Sequence, residues 1–201
     1  MIKKYRKDEI DKLAEILLRD GVIAIPTDTV YGICVRMNSK KAREKLMQIK
    51  NRPSSKSLPV MCADINQIKS IATVEEREEK IIQAFMPGPI TLILEKRSNL
   101  PEYVNEGSIE IGIRMATSKA VEELIKKIGG PICVSSANKS GEPTCTTMDE
   151  IIRTFPDLDG ILEGDILYGE SSTIVNCTSK DKLIIQRKGP ISLEQIEDVL
   201  D

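Results

Sequence analysis

The sequence predicts an α+β domain with α/β-like interleaving, in which helices flank a mixed β-sheet. Three observations carry that reading. Amphipathic helical stretches alternate along the chain with short apolar, β-branched runs. Several of those runs are continuous rather than alternating, as in strands buried on both faces. The chain has 201 residues, 40% of them hydrophobic and 30% charged, which suits one ordinary globular domain spanning residues 1–201.

The elements follow in order. A first helix starts near Asp8, with Ile10, Leu13, Ala14 and Leu17 forming one apolar stripe and Gly21 placed to end it. A buried strand occupies 22–25. A second helix covers 39–50, carries Ala42, Leu46 and Ile49 on one face, and is stopped by Pro53. Another amphipathic helix spans 119–128. Capping residues followed three positions later by Glu or Gln mark further helix starts at Thr73, Asp64, Thr147 and Ser192. Apolar runs at 90–94, 109–113, 131–134, 172–175 and 183–185 read as strands. Some of these are separated by too little sequence for a helical crossover, so the sheet is mixed rather than all parallel.

Composition removes several function classes. The chain has no histidine, which excludes Ser-His-Asp triads, Cys-His dyads and histidine-ligated zinc. Its five cysteines, at 34, 62, 133, 145 and 177, form no C-x-x-C pair and are expected to be reduced, with Cys34 and Cys133 packed as small hydrophobes. Net charge is −2 and pI near 5.5, which argues against a global nucleic-acid-binding field. Apolar runs fall far short of the ~20 residues of a membrane span, and no export signal is seen, so a cytoplasmic location without membrane contact is expected.

Four polar segments adjoin the apolar runs, where α/β proteins place ligands. They are PTDTVYG at 26–32, KNRPSSKSLP at 50–59, SSANKSG at 135–141 and SSTIVN at 171–176. The second carries Lys50, Arg52 and Lys56 with three serines and no acid, which makes it a local anion site; the alternative is that Lys50 only complements the negative end of a helix. The third offers hydroxyl and amide groups suited to phosphate oxygens or a base edge. No P-loop, dinucleotide or nucleophile-elbow fingerprint occurs, so any nucleotide site must be of another kind.

Taken together and in this order, PTDTVYG, K-x-R-P at 50–53, PGPIT at 87–91, SSANKSG, STIV at 172–175 and Arg187 before Gly189 resemble the YrdC family of threonylcarbamoyl-AMP synthases across nearly the whole chain. The resemblance implies an open, twisted mixed sheet with a central cleft that binds ATP, Mg²⁺ and L-threonine side by side. It implies nucleotide contacts from Lys50, Arg52, Ser136, Asn138, Thr144 and Arg187, with Lys50 and Arg52 as the catalytic cations. For threonine it implies Thr29, Tyr31, Arg114, Val134 and Ser172. No protein metal ligand is nominated. The chain departs from the family's usual pattern at Lys56, Ser57, Met61, Met86 and Glu110.

The implied reaction has two stages. Threonine's amino group takes up CO₂ from bicarbonate to give a carbamate, whose oxygen then attacks the α-phosphorus of ATP and expels pyrophosphate. Positioning and charge stabilisation dominate such transfers, so a site without histidine suffices. The adenylate is reactive toward water, and the implied partner that consumes it is a separate tRNA-modifying transferase. Direct tRNA binding is expected to be weak or absent. Rival readings are an RNA-binding module, disfavoured by two Phe, four Tyr and no Trp, and a carbamoyl-transfer module of the same fold.

Overall fold

The computed structural model describes residues 2–53, 56–166 and 169–201. Along these the elements are β1 (Lys4–Tyr5), a 3₁₀ turn (Lys7–Glu9), α1 (Ile10–Leu18), β2 (Ile23–Ile25), β3 (Gly32–Arg36), α2 (Lys40–Ile49), β4 (Val60–Cys62), α3 (Ile65–Ile71) and α4 (Glu76–Phe85). There follow β5 (Ile90–Glu95), β6 (Glu110–Met115), α5 (Lys119–Lys127), β7 (Ile132–Ser136), α6 (Met148–Thr154), β8 (Gly160–Leu162), β9 (Thr173–Asn176), β10 (Ile184–Arg187) and α7 (Leu193–Glu197). Ser54 and Ser55 of the cationic segment lie outside the described residues.

All the strands join one open mixed sheet in the order β1-β8-β2-β3-β7-β4-β6-β5-β9-β10. Pairing is parallel for β1/β8, β2/β8, β4/β6 and β5/β9, and antiparallel for β2/β3, β3/β7, β4/β7, β5/β6 and β9/β10. Strands β1, β3, β4 and β8 have no counterpart in the sequence reading, β1 being only two residues long. The last two have three residues each, too few to show a period, and Ile33 to Val35 are buried on both sides directly after the PTDTVYG loop, which hid the return strand.

Helices pack on both faces. On one, Leu46 of α2, Ile68 of α3, Ile81 of α4 and Phe155 just after α6 meet Val35, Val60, Leu92, Ile111 and Ile113. On the other, Leu13 and Leu17 of α1 and Leu124 and Ile125 of α5 meet Ile23, Ile25, Cys34, Ile132 and Val134. The five cysteines are free and buried. Burial pushes the thiols of Cys34, Cys62, Cys133 and Cys177 up, so they behave as apolar packing groups.

Two helix boundaries correct the sequence reading. The residue that ends α1 in the left-handed conformation is Asp20 (φ 63°), not Gly21. Asp20 N–H donates to the Leu17 carbonyl and Gly21 N–H to the Ile16 carbonyl, a Schellman closure, while the Asp20 carboxylate takes Arg36 Nη2 at 2.7 Å and Ser39 Oγ at 2.7 Å. Gly21 is required for a different reason: a Cβ there would stand 2.3 Å from Ile16 Cγ2. Nor does Thr73 start a helix. Its N–H is spent on the Glu95 carbonyl (2.9 Å), and α4 starts after Glu75, whose N–H the Glu78 carboxylate accepts at 3.0 Å. Asp64, Thr147 and Ser192 do cap α3, α6 and α7.

Candidate functional site

Strand alternation makes the cavity. On β6, Ile111 and Ile113 enter one core, so Glu110, Gly112 and Arg114 face the opposite side of the sheet. On β5, Leu92 and Leu94 do the same and turn Thr91 and Ile93 toward that side. There α1 and α5 cover β8, β2, β3 and β7 but leave β6, β5, β9 and β10 uncovered. The uncovered half is the floor of a cavity of about 370 Å³, a volume suited to a small-molecule ligand. Its walls come from the 27–32 segment, Arg52, Ser57, the end of β7 from Val134 to Ser136, and the β9–β10 ribbon.

Gly32 lets the β2–β3 hairpin approach β7, since a Cβ there would meet Val134 Cγ2 at 2.5 Å. A relay of hydroxyls shapes the hairpin. Arg114 Nη1 donates to Thr29 Oγ1 (3.0 Å), which pairs with Thr27 Oγ1 (3.1 Å), which in turn donates to the Val30 carbonyl. Arg114 Nη2 also donates to Asp28 Oδ1 at 2.6 Å, and both side chains are nearly buried. Burial pushes the Arg114 guanidinium down and neighbouring Arg187 adds to this, while Asp28 opposes it.

The K-x-R spacing has a local cause. Lys50 is the C-terminal cap of α2, and Asn51 adopts φ 50°, the left-handed position that Asn tolerates. Asn51 N–H donates to the Gln48 carbonyl and Arg52 N–H to the Met47 carbonyl, a second Schellman closure. This turn delivers Arg52 to the cavity, where its Nη2 donates to the Ser57 carbonyl (2.6 Å) and its buried Nε has no partner. Lys50 turns the other way: it is 1% exposed, and its Nζ donates to the carbonyls of Ser136 and, at 2.7 Å, Asn138. Burial and the charges of Arg52 and Lys139 bring its ammonium down to about 7.

Lys50 thereby stitches α2 to the 135–141 loop, and Ser140 N–H returns a bond to the Lys50 carbonyl (2.9 Å). Within that loop Ser136 Oγ donates to Asn138 Oδ1 (2.6 Å), and Asn138 Nδ2 donates to the Glu142 carbonyl (2.8 Å). Across the cavity, Arg187 Nε and Nη2 donate to the Ser172 carbonyl and hydroxyl, both at 3.0 Å, and Ser172 Oγ pairs with Thr91 Oγ1 at 2.8 Å. Gly189 permits this turn, because a Cβ would stand 2.4 Å from Thr173 N.

Of the nominated residues, the fold brings Arg52, Ser136, Arg187, Thr29, Arg114, Val134 and Ser172 to the cavity wall. Four are not part of that wall, two of them buried (Lys50 and Tyr31) and two partly exposed (Asn138 and Thr144). Lys50 and Asn138 are occupied as described, Thr144 is part of the segment held by Cys145 N–H on the Ala137 carbonyl, and Tyr31 donates its hydroxyl to the Gly164 carbonyl at 2.6 Å within the opposite core. Burial also pushes the Tyr31 phenol up. Lining residues not nominated as ligand contacts include Thr91 of PGPIT, Glu110, Ser171 of SSTIVN and Gln186. Glu110 was readable from the alternation E-I-G-I-R, which puts it on one strand face with Arg114.

Three guanidinium groups and one carboxylate, Glu110, thus line one polar cavity among the described residues, an arrangement that takes an anionic ligand. Among the described residues no group of three or more Cys, Asp or Glu gathers to hold a metal ion. No described helix is long and apolar enough to cross a membrane.

Comparison with known proteins gives a consistent result. Residues 15–189 match the Sua5/YciO/YrdC family model, whose description reads "Telomere recombination". A putative threonylcarbamoyl-AMP synthase of Methanocaldococcus jannaschii is 34% identical over 196 residues, which cover 96% of this chain and 92% of that protein. The threonylcarbamoyl-AMP synthase of Bacillus subtilis is 34% identical over 199 residues, but this chain spans only 56% of its length. The crystal structure of Pyrococcus abyssi Sua5 complexed with L-threonine superposes with TM-score 0.91 at 28% identity, covering 100% of this chain and 61% of that one.

Proposed function

Because the chain belongs to the Sua5/YciO/YrdC family, we propose that it makes L-threonylcarbamoyl-AMP from L-threonine, bicarbonate and ATP, the first step of threonylcarbamoyladenosine modification of tRNA. The observation that carries this reading is the convergence of Arg52, Arg114 and Arg187 on one polar cavity beside the hydroxyls of Thr29, Thr91, Ser136 and Ser172. Residues 1–201 act as one catalytic unit.

In this reading Arg114 takes the amino-acid carboxylate, while Ser172 and Val134 take the hydroxyl and methyl. Arg52, Ser136 and Arg187 take the phosphates of MgATP. Lys50 and Tyr31 fix the loops that present those groups, and Asn138 and Thr144, both partly exposed, are further nucleotide contacts. Mg²⁺ enters with the nucleotide as part of the substrate, held chiefly by phosphate oxygens and water. Threonine's amine adds to CO₂, forming the C–N bond of the carbamate and releasing a proton. A carbamate oxygen then bonds to the α-phosphorus as the bond to the bridging β-phosphate oxygen breaks, and pyrophosphate leaves. The arginines hold charge as it redistributes, which needs no titrating side chain. A tRNA-modifying transferase then takes the product.

Pyrophosphate release measured with threonine and bicarbonate omitted in turn tests this. Release should require both. Serine should be used about 10- to 200-fold less well, the worth of one methyl contact. Undiminished release without bicarbonate would sink the proposal.

A further inference from the structure

Asp28 stands between three cavity-lining residues, Thr27, Thr29 and Val30, yet does not line the cavity itself. It lies directly behind Arg114. Its Oδ1 accepts from Arg114 Nη2 at 2.6 Å, while its Oδ2 is buried with no partner, and so is Arg114 Nε on the same edge of the guanidinium. A carboxylate 3% exposed with half its hydrogen-bonding capacity unused is costly, and among the described residues only Arg114 bonds to it. Arg114 already has a second anchor in Thr29, so holding the guanidinium in place does not by itself call for a buried charge.

We propose that Asp28 is a specificity-determining residue that makes the Arg114 site select a zwitterionic amino acid over a plain hydroxy-carboxylate. The inference rests on Arg114 receiving the substrate carboxylate. With Asp28 behind it, Arg114 offers a pair of opposite charges rather than a lone cation. An amino acid carries a matching pair, with its ammonium group two bonds from the carboxylate carbon. Set against Arg114 in a poorly solvated wall, its carboxylate meets the guanidinium, while the Asp28 charge behind acts through space to offset the repulsion between that guanidinium and the ammonium. A carboxylate without the amine gains from Arg114 and loses to Asp28. The other charged groups lining the cavity, Arg52, Arg187 and Glu110, act on both ligands and are unaltered by a change at Asp28.

The test compares binding of L-threonine and of 3-hydroxybutyrate, which keeps the carboxylate, hydroxyl and methyl but lacks the amine. Calorimetry without ATP reads both Kd values in wild type and in Asp28→Asn, which keeps an acceptor for Arg114 and removes the charge. Wild type should prefer threonine by at least about tenfold. Asp28→Asn should lose most of that preference, chiefly because 3-hydroxybutyrate binds tighter than in wild type. A purely structural Asp28 would weaken both ligands alike and leave the ratio unchanged, which overturns the inference. Asp28→Ser carries the same expectation should Asp28→Asn not fold. Wild type binding the two ligands within about threefold overturns it without any variant. Wild type binding neither would instead refute the proposed function.

Discussion

Lys50 gives a test in which stability and activity are read on the same residue. Lys50→Met keeps most of the stem and removes the charge. Its loss frees the carbonyls of Ser136 and Asn138, each costing about 1–3 kcal/mol if left without a donor. Against this stands the cost of burying the ammonium: a fall from 10.5 to about 7 corresponds to about 5 kcal/mol. The folded-state value lies below the unfolded one, so between pH 7 and 10.5 the unfolded chain binds more protons and stability rises with pH. Wild type should therefore gain about 3 kcal/mol over Lys50→Met between pH 6.5 and 9.5 in urea unfolding. Other titrating groups cancel in that difference. Equal pH dependence in the two proteins would show that the two carbonyls hold the ammonium charged and that burial does not depress it. Because Lys50 anchors the turn that carries Arg52, kcat/KM for ATP should also fall at least about tenfold.

Further outcomes follow from neighbouring contacts. Arg52→Lys cannot copy the planar fork, so kcat/KM for ATP should drop at least about tenfold while the melting temperature stays near wild type; unchanged kinetics would move the phosphate site elsewhere. Arg77 donates to the carbonyls of Cys177, Ser179 and Lys180 and clamps the turn between β9 and β10, so Arg77→Met should cost about 2–4 kcal/mol in urea unfolding, and a variant as stable as wild type would refute that role. Direct tRNA binding should have a log affinity against log salt slope no steeper than about −3, and a filter-binding slope near −6 or beyond would revive an RNA-binding role.

Much of the fold was readable because local and tertiary preferences agree. The α1 stripe of Ile10, Leu13, Ala14 and Leu17 is buried as its spacing requires, and the capping residues Asp64, Thr147 and Ser192 work locally. Failures came where a distant partner decides. Thr73 has the spacing of a cap, but its N–H is claimed by Glu95 on β5. Gly21 has the place of a helix terminator, but Asp20 takes the left-handed turn because Arg36 and Ser39 await its carboxylate. In the site, residues in one motif divide between wall and scaffold. Tyr31 and Thr29 are two apart yet separated, because Thr29 lies in the turn while Tyr31, just before β3, shares the face of Ile33 and Val35 and enters the opposite core. Motif membership identifies a segment, and only the pleat or the turn decides which side chain meets a ligand.

The same distinction explains how a protein of net charge −2 builds an anion site. Several surface cations here are balanced by neighbouring acids, as with Lys12 and Glu9, Lys126 and Glu122, or Lys45 and Asp159. The cavity arginines are treated otherwise. Arg52 and Arg187 donate to the backbone carbonyls of Ser57 and Ser172, which fix their direction without cancelling their charge, and burial pushes both guanidinium groups down. Arg114 alone has a carboxylate behind it. Two unneutralised guanidiniums therefore stand in a poorly solvated wall and one is matched to an opposite charge. Phosphate oxygens relieve the strain of the first two, whereas the third suits a ligand that brings both signs, so the wall sorts an anion from a zwitterion before any reaction begins.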